Sequence, residues 1–341
     1  MPRPRLTTLI SWLAGLAGLG LFVWLFAATN VLHDLAALPI VLWLAVVLRA
    51  APLALATLGF ARSFPLTSGS RLPGFGALFT IRMAGESINN GLASAYVAGE
   101  PVKGLLSVPY GVRPRAGLAC ALIGKTTNIA GEILFLLLGV AVAAALFGRD
   151  TPLVTMLLTV TVVGTAIVAL GIVVQQKRLL GRGLRLVQAI RLGPRKLWDR
   201  ALPAADAIDE EVKSYYGTQR RDFVAAALWG AGSWALGAFE LAAFLALTTD
   251  AAQPVVLALA LEAGVAVVKG LSFFVPASIG AQEGGIVWLF VAAGLGREAG
   301  VTYAVFRRFR EMIWIGLGFL ALGWHLRRRP RVAAHHAPAQ G

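Results

Sequence analysis

The chain has 341 residues, 57% of them hydrophobic and 14% charged, with a mean hydropathy of +0.73. A soluble domain carries about 25% charged residues, so this composition excludes one and describes a polytopic, all-α membrane protein. The net charge of +14 comes from cations that crowd the ends of apolar runs, with no RNA-binding signature or zinc spacing beside them; no nucleic-acid partner is expected, and they read as topology signals and contacts to anionic lipid.

In chain order, MPRPR is followed by an apolar run from Leu9 to Ala28, about 20 residues, which suits a retained first span better than the shorter core of a signal peptide. Further runs long enough to cross are Leu38 to Phe60, Gly117 to Phe147, Leu153 to Val174, Phe223 to Leu247, Val255 to Phe274 and Thr302 to His325. Two more polar stretches, Phe75 to Ala98 and Gly280 to Gly296, are interrupted by glycine and charge, as broken or re-entrant helices are. The tail 331–341 reads as disordered, and residues 1–330 as one membrane domain: a first half 1–174, a basic segment 175–222 and a second half 223–325. The single cysteine, Cys120, excludes an intrachain disulfide.

Orientation follows the cations. Arg3 and Arg5 precede the first span, Arg62 and Arg71 follow the second, and Arg327, Arg328, Arg329 and Arg331 follow the last. The segment from Gln175 to Asp222 holds eleven basic residues against six acidic ones. All fall on the cytoplasmic side if Phe75 to Ala98 enters and leaves from that side and Gly280 to Gly296 crosses, which makes about eight spans with both termini inside. A six-span path, with Val255 to Gly296 as a hairpin from the outer side, keeps the same charge pattern. Within the basic segment Arg178, Arg182 and Arg185 alternate with leucines at helical spacing; this is an interfacial helix, serving as a topology anchor or as a binder of acidic headgroups.

The first polar constellation is a ladder, Arg82, Glu86, Asn89 and Asn90, on one face of an otherwise apolar helix. An ionised side chain at mid-membrane costs roughly 2.5 to 3.5 kcal/mol on insertion scales, so such groups face a protein interior or an aqueous cavity. Arg82 and Glu86 are spaced to pair, and Glu100 and Lys103 add an acid and a base at a turn just beyond. The alternative is that the ladder only joins helices. The second constellation runs from Phe274 to Gly285, where Pro276 and three glycines break a helix around Gln282 and Glu283; a solvated loop is the plainer reading. Each constellation precedes a helix with cations, Lys125 in the first half and Arg307, Arg308 and Arg310 in the second, as an internal duplication would have. Lys125 with Glu132, and Glu262 with Lys269, are each seven apart and share a helix face. Glu240 has no local partner and must pair across helices or be neutral.

Enzyme motifs fail on inspection. Gly124-Lys125-Thr126 resembles the end of a phosphate-binding loop but lacks the earlier glycine and the strand. There is no His-Glu-x-x-His and no Gly-x-Ser-x-Gly elbow. No cofactor is expected.

The stretch GESINNGLASAYVAGEPVKGLL (Gly85 to Leu106), with PASIGAQEGG (Pro276 to Gly285) and FRRFRE (Phe306 to Glu311), resembles a flippase-like membrane family similar to the transmembrane region of lysylphosphatidylglycerol synthase, which includes a hopanoid-associated subgroup. The resemblance implies a protein of the bacterial inner membrane that moves or handles a lipid, with these motifs near the substrate path. The synthase's aminoacyl-transfer domain has no counterpart in the motifs, so lysine transfer is not implied. The expected site is a polar cavity in which Arg82, Lys103, Lys125, Arg307 and Arg310 hold phosphate, while Glu86, Asn89, Asn90, Glu100, Gln282 and Glu283 engage amine or hydroxyl groups or gate the path. Two other readings are a membrane-embedded lipid-modifying enzyme with Glu86 or Glu283 as base, and a scaffold for lipid-synthesis enzymes.

Overall fold

The computed structural model describes residues 38–65, 71–91, 98–177, 179–189, 195–272 and 280–328. The expected first span, the loop 92–97, Arg178, residues 273–279 with Pro276, and the tail lie outside them. Among the described residues every regular element is helical. The run Leu38 to Phe60 forms α1 (Ile40–Leu48) and α2 (Ala50–Arg62). They part at Arg49 because Pro52 has no N–H to give the carbonyl four residues back. The remaining helices are α3 (Phe75–Gly91), α4 (Gly99–Ser107), α5 (Pro114–Phe147), α6 (Pro152–Gln176), α7 (Leu179–Ala189), α8 (Arg195–Thr218), α9 (Arg220–Thr248), α10 (Pro254–Leu271), α11 (Ala281–Ala292) and α12 (Arg297–Arg328).

One end of the bundle is basic, and α8 ties it together. Tyr215 donates to the Arg62 carbonyl at 3.0 Å, Arg115 pairs with Glu211 at 2.8 Å, and Tyr216 donates to Gln175 at 2.8 Å. The C-terminus of α2, the N-terminus of α5 and the C-terminus of α6 therefore meet there, and Arg62 pairs with Asp222 at the start of α9. The expected interfacial helix is α7. Its Gly181 N–H donates to Asp209 and its Arg185 to Asp206, so α7 is fastened to α8, with Leu186 and Val187 left exposed beside Arg182. The far end of α12 returns to the same end: His325 lies between the hydroxyls of Thr80, in the second turn of α3, and Tyr110, just past α4. The helices α3 and α4 thus enter and leave from the basic end, as a re-entrant hairpin.

Packing and length disagree about α10. Five segments are long and apolar enough to cross a membrane: Ile40–Arg62, α5, α6, α9 and α10. Yet α10 runs antiparallel to α11, with Gly264 against Leu289 and Gly285 against Val268, and its last turn touches the tip of α3 through Lys269. The helices α10 and α11 are the legs of a second antiparallel hairpin, and its tip meets that of the first. The helix α12 carries the Arg307–Glu311 charges, and its 32 residues span about 48 Å. The helix α11, of 12 residues, packs its Gly285 face against Val268 of α10.

Among the described residues three buried apolar clusters result, one of them (Ala119, Ile123, Ile208, Val212, Tyr215 and Tyr216) where α8 packs on α5 and the other two on either side of a band of charge. Residues of α10 (Ala258–Val267), α11 (Ile286, Leu289, Phe290), the start of α12 (Tyr303–Phe306), Leu42 and Leu157 form the outer one. Leu78, Ile81, Ala84, Leu106, Ala116, Cys120 and Leu322 form the one at the basic end. Element order also repeats. Span α1–α2, hairpin α3–α4 and long helix α5 in the first half match span α9, hairpin α10–α11 and long helix α12 in the second, in the opposite orientation. The outer surface of α6, with Leu158, Val162, Ile167 and Leu170 exposed, meets lipid.

Candidate functional site

Between the two cores lies a layer of charge, and the hairpin tips meet in it. In the first hairpin Lys103 of α4 reaches back to α3, donating to Glu86 at 2.7 Å and to Glu100 at 2.8 Å. Arg82 stands 3.6 Å from Glu86 and donates to Asn128 of α5 at 3.4 Å. Asn89 closes the hairpin, accepting from the Gly99 N–H at 2.7 Å and donating to Glu100 at 3.1 Å. The legs approach so closely that a Cβ on Gly99 would collide with the Gly85 carbonyl, which is why glycine stands at both places. Asn90 donates to the Glu86 carbonyl and accepts from Lys269 at 3.0 Å, linking the tips of the two hairpins.

In the second hairpin Gly280 takes the left-handed φ of 82° and donates its N–H to Glu283 at 2.7 Å, so this carboxylate caps α11. Glu283 also accepts from Arg308 Nε at 2.6 Å, and Gln282 donates to Glu311 at 3.3 Å. Deeper in α12, Arg307 donates to both oxygens of Glu262 at 2.8 and 2.9 Å, and Arg310 is paired with Glu240. Sequence spacing offered Lys269 to Glu262; the structure gives Glu262 to Arg307 because that arginine points into the outer core while Lys269 faces the α3 tip.

The eleven residues expected in the site fall into two kinds. Lys103, Arg307 and Arg310 have side chains only 2, 3 and 1% exposed, each held by a carboxylate. Such pairs balance burial cost against Coulomb attraction, and removing one partner costs about 3–5 kcal/mol. Asn89, Glu100 and Gln282 are likewise buried. Glu86 at 30% and Glu283 at 19% are the more open, with Arg82 and Asn90 partly so. Lys125 of α5 lies within electrostatic reach of Glu86 and of Glu132, which is itself close to Lys269. Buried donors remain at Arg82 Nε and at Arg310 Nε and Nη2, which have no acceptor among the described residues.

Two members of the layer escape a sequence reading centred on motifs. Arg49, at the α1–α2 break, lies near Glu240 and Arg310; a lone arginine inside an apolar run, three residues before a proline, was the available signal. Asn128 accepts from Arg82 and was masked by its apolar neighbours. Arg308, not Arg307 or Arg310, is the partner of Glu283. Among the described residues no group of His, Cys, Asp and Glu gathers as a metal site.

A family model of the lysylphosphatidylglycerol synthase transmembrane region matches residues 11–319. The chain belongs to that family. The match spans both hairpins and both long helices, so the family membership covers the whole of the charged layer. Comparison with curated proteins and with solved structures gave no match. Members of the lysylphosphatidylglycerol synthase transmembrane-region family are membrane proteins of lipid metabolism or transport, and that much holds for this chain.

Proposed function

We propose that the protein carries a polar lipid headgroup, of a phospholipid, a hopanoid or a lipid-linked sugar, across the bacterial inner membrane. The observation that carries this reading is the contact between two oppositely inserted hairpins at mid-depth, Lys269 on Asn90, inside a layer of paired charge. Hairpins inserted from opposite ends shorten the barrier a headgroup must cross, and ionisable groups inside a membrane domain are functional candidates by default. Glu86 and Glu283, the more open acids, are placed to meet amine or hydroxyl groups; Arg82, with a buried donor to spare, suits a phosphate oxygen. The excess of Lys and Arg makes the basic end the cytoplasmic one.

The test is transport of fluorescent phospholipid in vesicles reconstituted with the purified chain. Glu86→Gln and Glu283→Gln should each reduce the rate at least tenfold while the protein still elutes as a folded species. Wild-type rates in both would sink the proposal. A covalently altered lipid after incubation would instead favour an embedded enzyme, a reading the synthase in the family's name keeps in view.

A further inference from the structure

A second polar feature lies away from the hairpin tips, at the basic end, where α6, the last turn of α8 and the start of α9 enclose a groove of about 460 Å³. Its mouth carries Lys213 and Arg220, both exposed and neither in an ion pair among the described residues. Tyr216 stands between the two helices that bear them; its hydroxyl is fixed by donation to Gln175 at 2.8 Å, and burial pushes the phenol up to about 12, so it stays neutral. The walls are apolar, Ile172 from α6 with Phe223 and Val224 from α9. On the same face of α9 as Val224, one turn further along, Leu228 remains 59% exposed on a surface that faces acyl chains.

Two cations without an ion-pair partner among the described residues, at the mouth of an apolar groove, match one kind of ligand. We propose that this groove binds a monoanionic glycerophospholipid of the cytoplasmic leaflet, its phosphate between Lys213 and Arg220 and one acyl chain along Ile172, Phe223 and Val224. A soluble anion would satisfy the cations and leave the apolar walls without a role, whereas a neutral lipid would satisfy the walls and leave the cations unpaired. The bound lipid would staple α6 to α8 and α9 at the place where the basic segment docks on the membrane domain. The groove shares no residue with the charged layer.

Native mass spectrometry of the full chain in detergent tests this, with dioleoylphosphatidylglycerol, dioleoylphosphatidylcholine and glycerol 3-phosphate as probes. Wild type should take up one phosphatidylglycerol far ahead of phosphatidylcholine, with no displacement by glycerol 3-phosphate. Lys213→Gln with Arg220→Gln should weaken that first binding about 30-fold, the loss expected for two interfacial cations, and Val224→Trp, which fills the groove, should weaken it as well. Arg297→Gln, at the opposite end, should leave it unchanged. Equal uptake of the two lipids, displacement by glycerol 3-phosphate, or unaltered binding in either groove variant would overturn the assignment. Because both altered cations are exposed, a matching melting temperature for the double variant is expected and keeps a negative result from being a folding defect.

Discussion

Replacing Lys103 by methionine is the sharpest probe of the first hairpin. Methionine preserves most of the side-chain volume, so the substitution removes charge more than packing. Lys103 Nζ has two carboxylate partners, Glu86 at 2.7 Å and Glu100 at 2.8 Å, and is itself 2% exposed. Without it Glu86, 30% exposed and still 3.6 Å from Arg82, regains part of its solvation and keeps a cation. Glu100, 10% exposed, keeps only the Asn89 amide at 3.1 Å. Most of the penalty therefore falls on Glu100, and about 3 kcal/mol is expected, the low end for breaking a buried pair. Glu100→Gln alone leaves the Lys103–Glu86 pair and should cost about 1 kcal/mol. In the Lys103→Met background the same change should recover stability, giving a coupling energy of at least about 1.5 kcal/mol. Equilibrium unfolding in mixed micelles, followed by tryptophan fluorescence, measures all four proteins. A loss below about 1 kcal/mol for Lys103→Met, or strictly additive effects, would refute the triad as a buried charge network.

The close approach of the hairpin legs predicts that Gly99→Leu, whose side chain would strike the Gly85 carbonyl and Asn89, lowers stability by about 3 kcal/mol or more, while Gly76→Leu, with open space around it, stays within about 0.5 kcal/mol in the same unfolding assay. The contact between hairpin tips predicts that cysteines at Asn90 and Lys269, in a Cys120→Ser background, are joined in high yield by a short bismaleimide, seen as resistance to separation after cleavage of an engineered loop site; no joining would mean the tips do not meet. A six-span path, with α10 and α11 as a hairpin, predicts that Ser272→Cys is labelled by an impermeant maleimide from neither face, whereas Arg297→Cys and Lys213→Cys are labelled from opposite faces; labelling of Ser272→Cys from the face of Lys213 would give the eight-span path.

Much of this protein was legible one helix at a time. The apolar runs located the spans, since burying about 20 residues of backbone in hydrocarbon leaves few alternatives to a helix. Glycine and charge marked Phe75 to Ala98 and Gly280 to Gly296 as interrupted, and the cations placed the basic segment at one end. Arg82 with Glu86 followed from four-residue spacing, and the need for Glu240 to find a partner across helices followed from its isolation in an apolar run.

What sequence left open was every question about which helix faces which. Spacing along one helix made Lys269 the natural partner of Glu262, but charge pairs across helices depend on rotation and depth, which no local pattern encodes. The choice between six and eight spans had the same character. A run of 18 apolar residues can cross the membrane or turn back half-way, and hydropathy is equal in the two cases. The tertiary packing of Gly264 on Leu289, Gly285 on Val268 and Lys269 on Asn90 pairs α10 with α11 and brings its end to the α3 tip, because only contacts between helices fix which faces meet. The sequence by itself determined an all-helical membrane protein with two polar interruptions. The tertiary structure alone set those interruptions as opposed hairpins whose tips meet in one charged layer, since close helix approach and cross-helix ion pairing are properties of assembled surfaces.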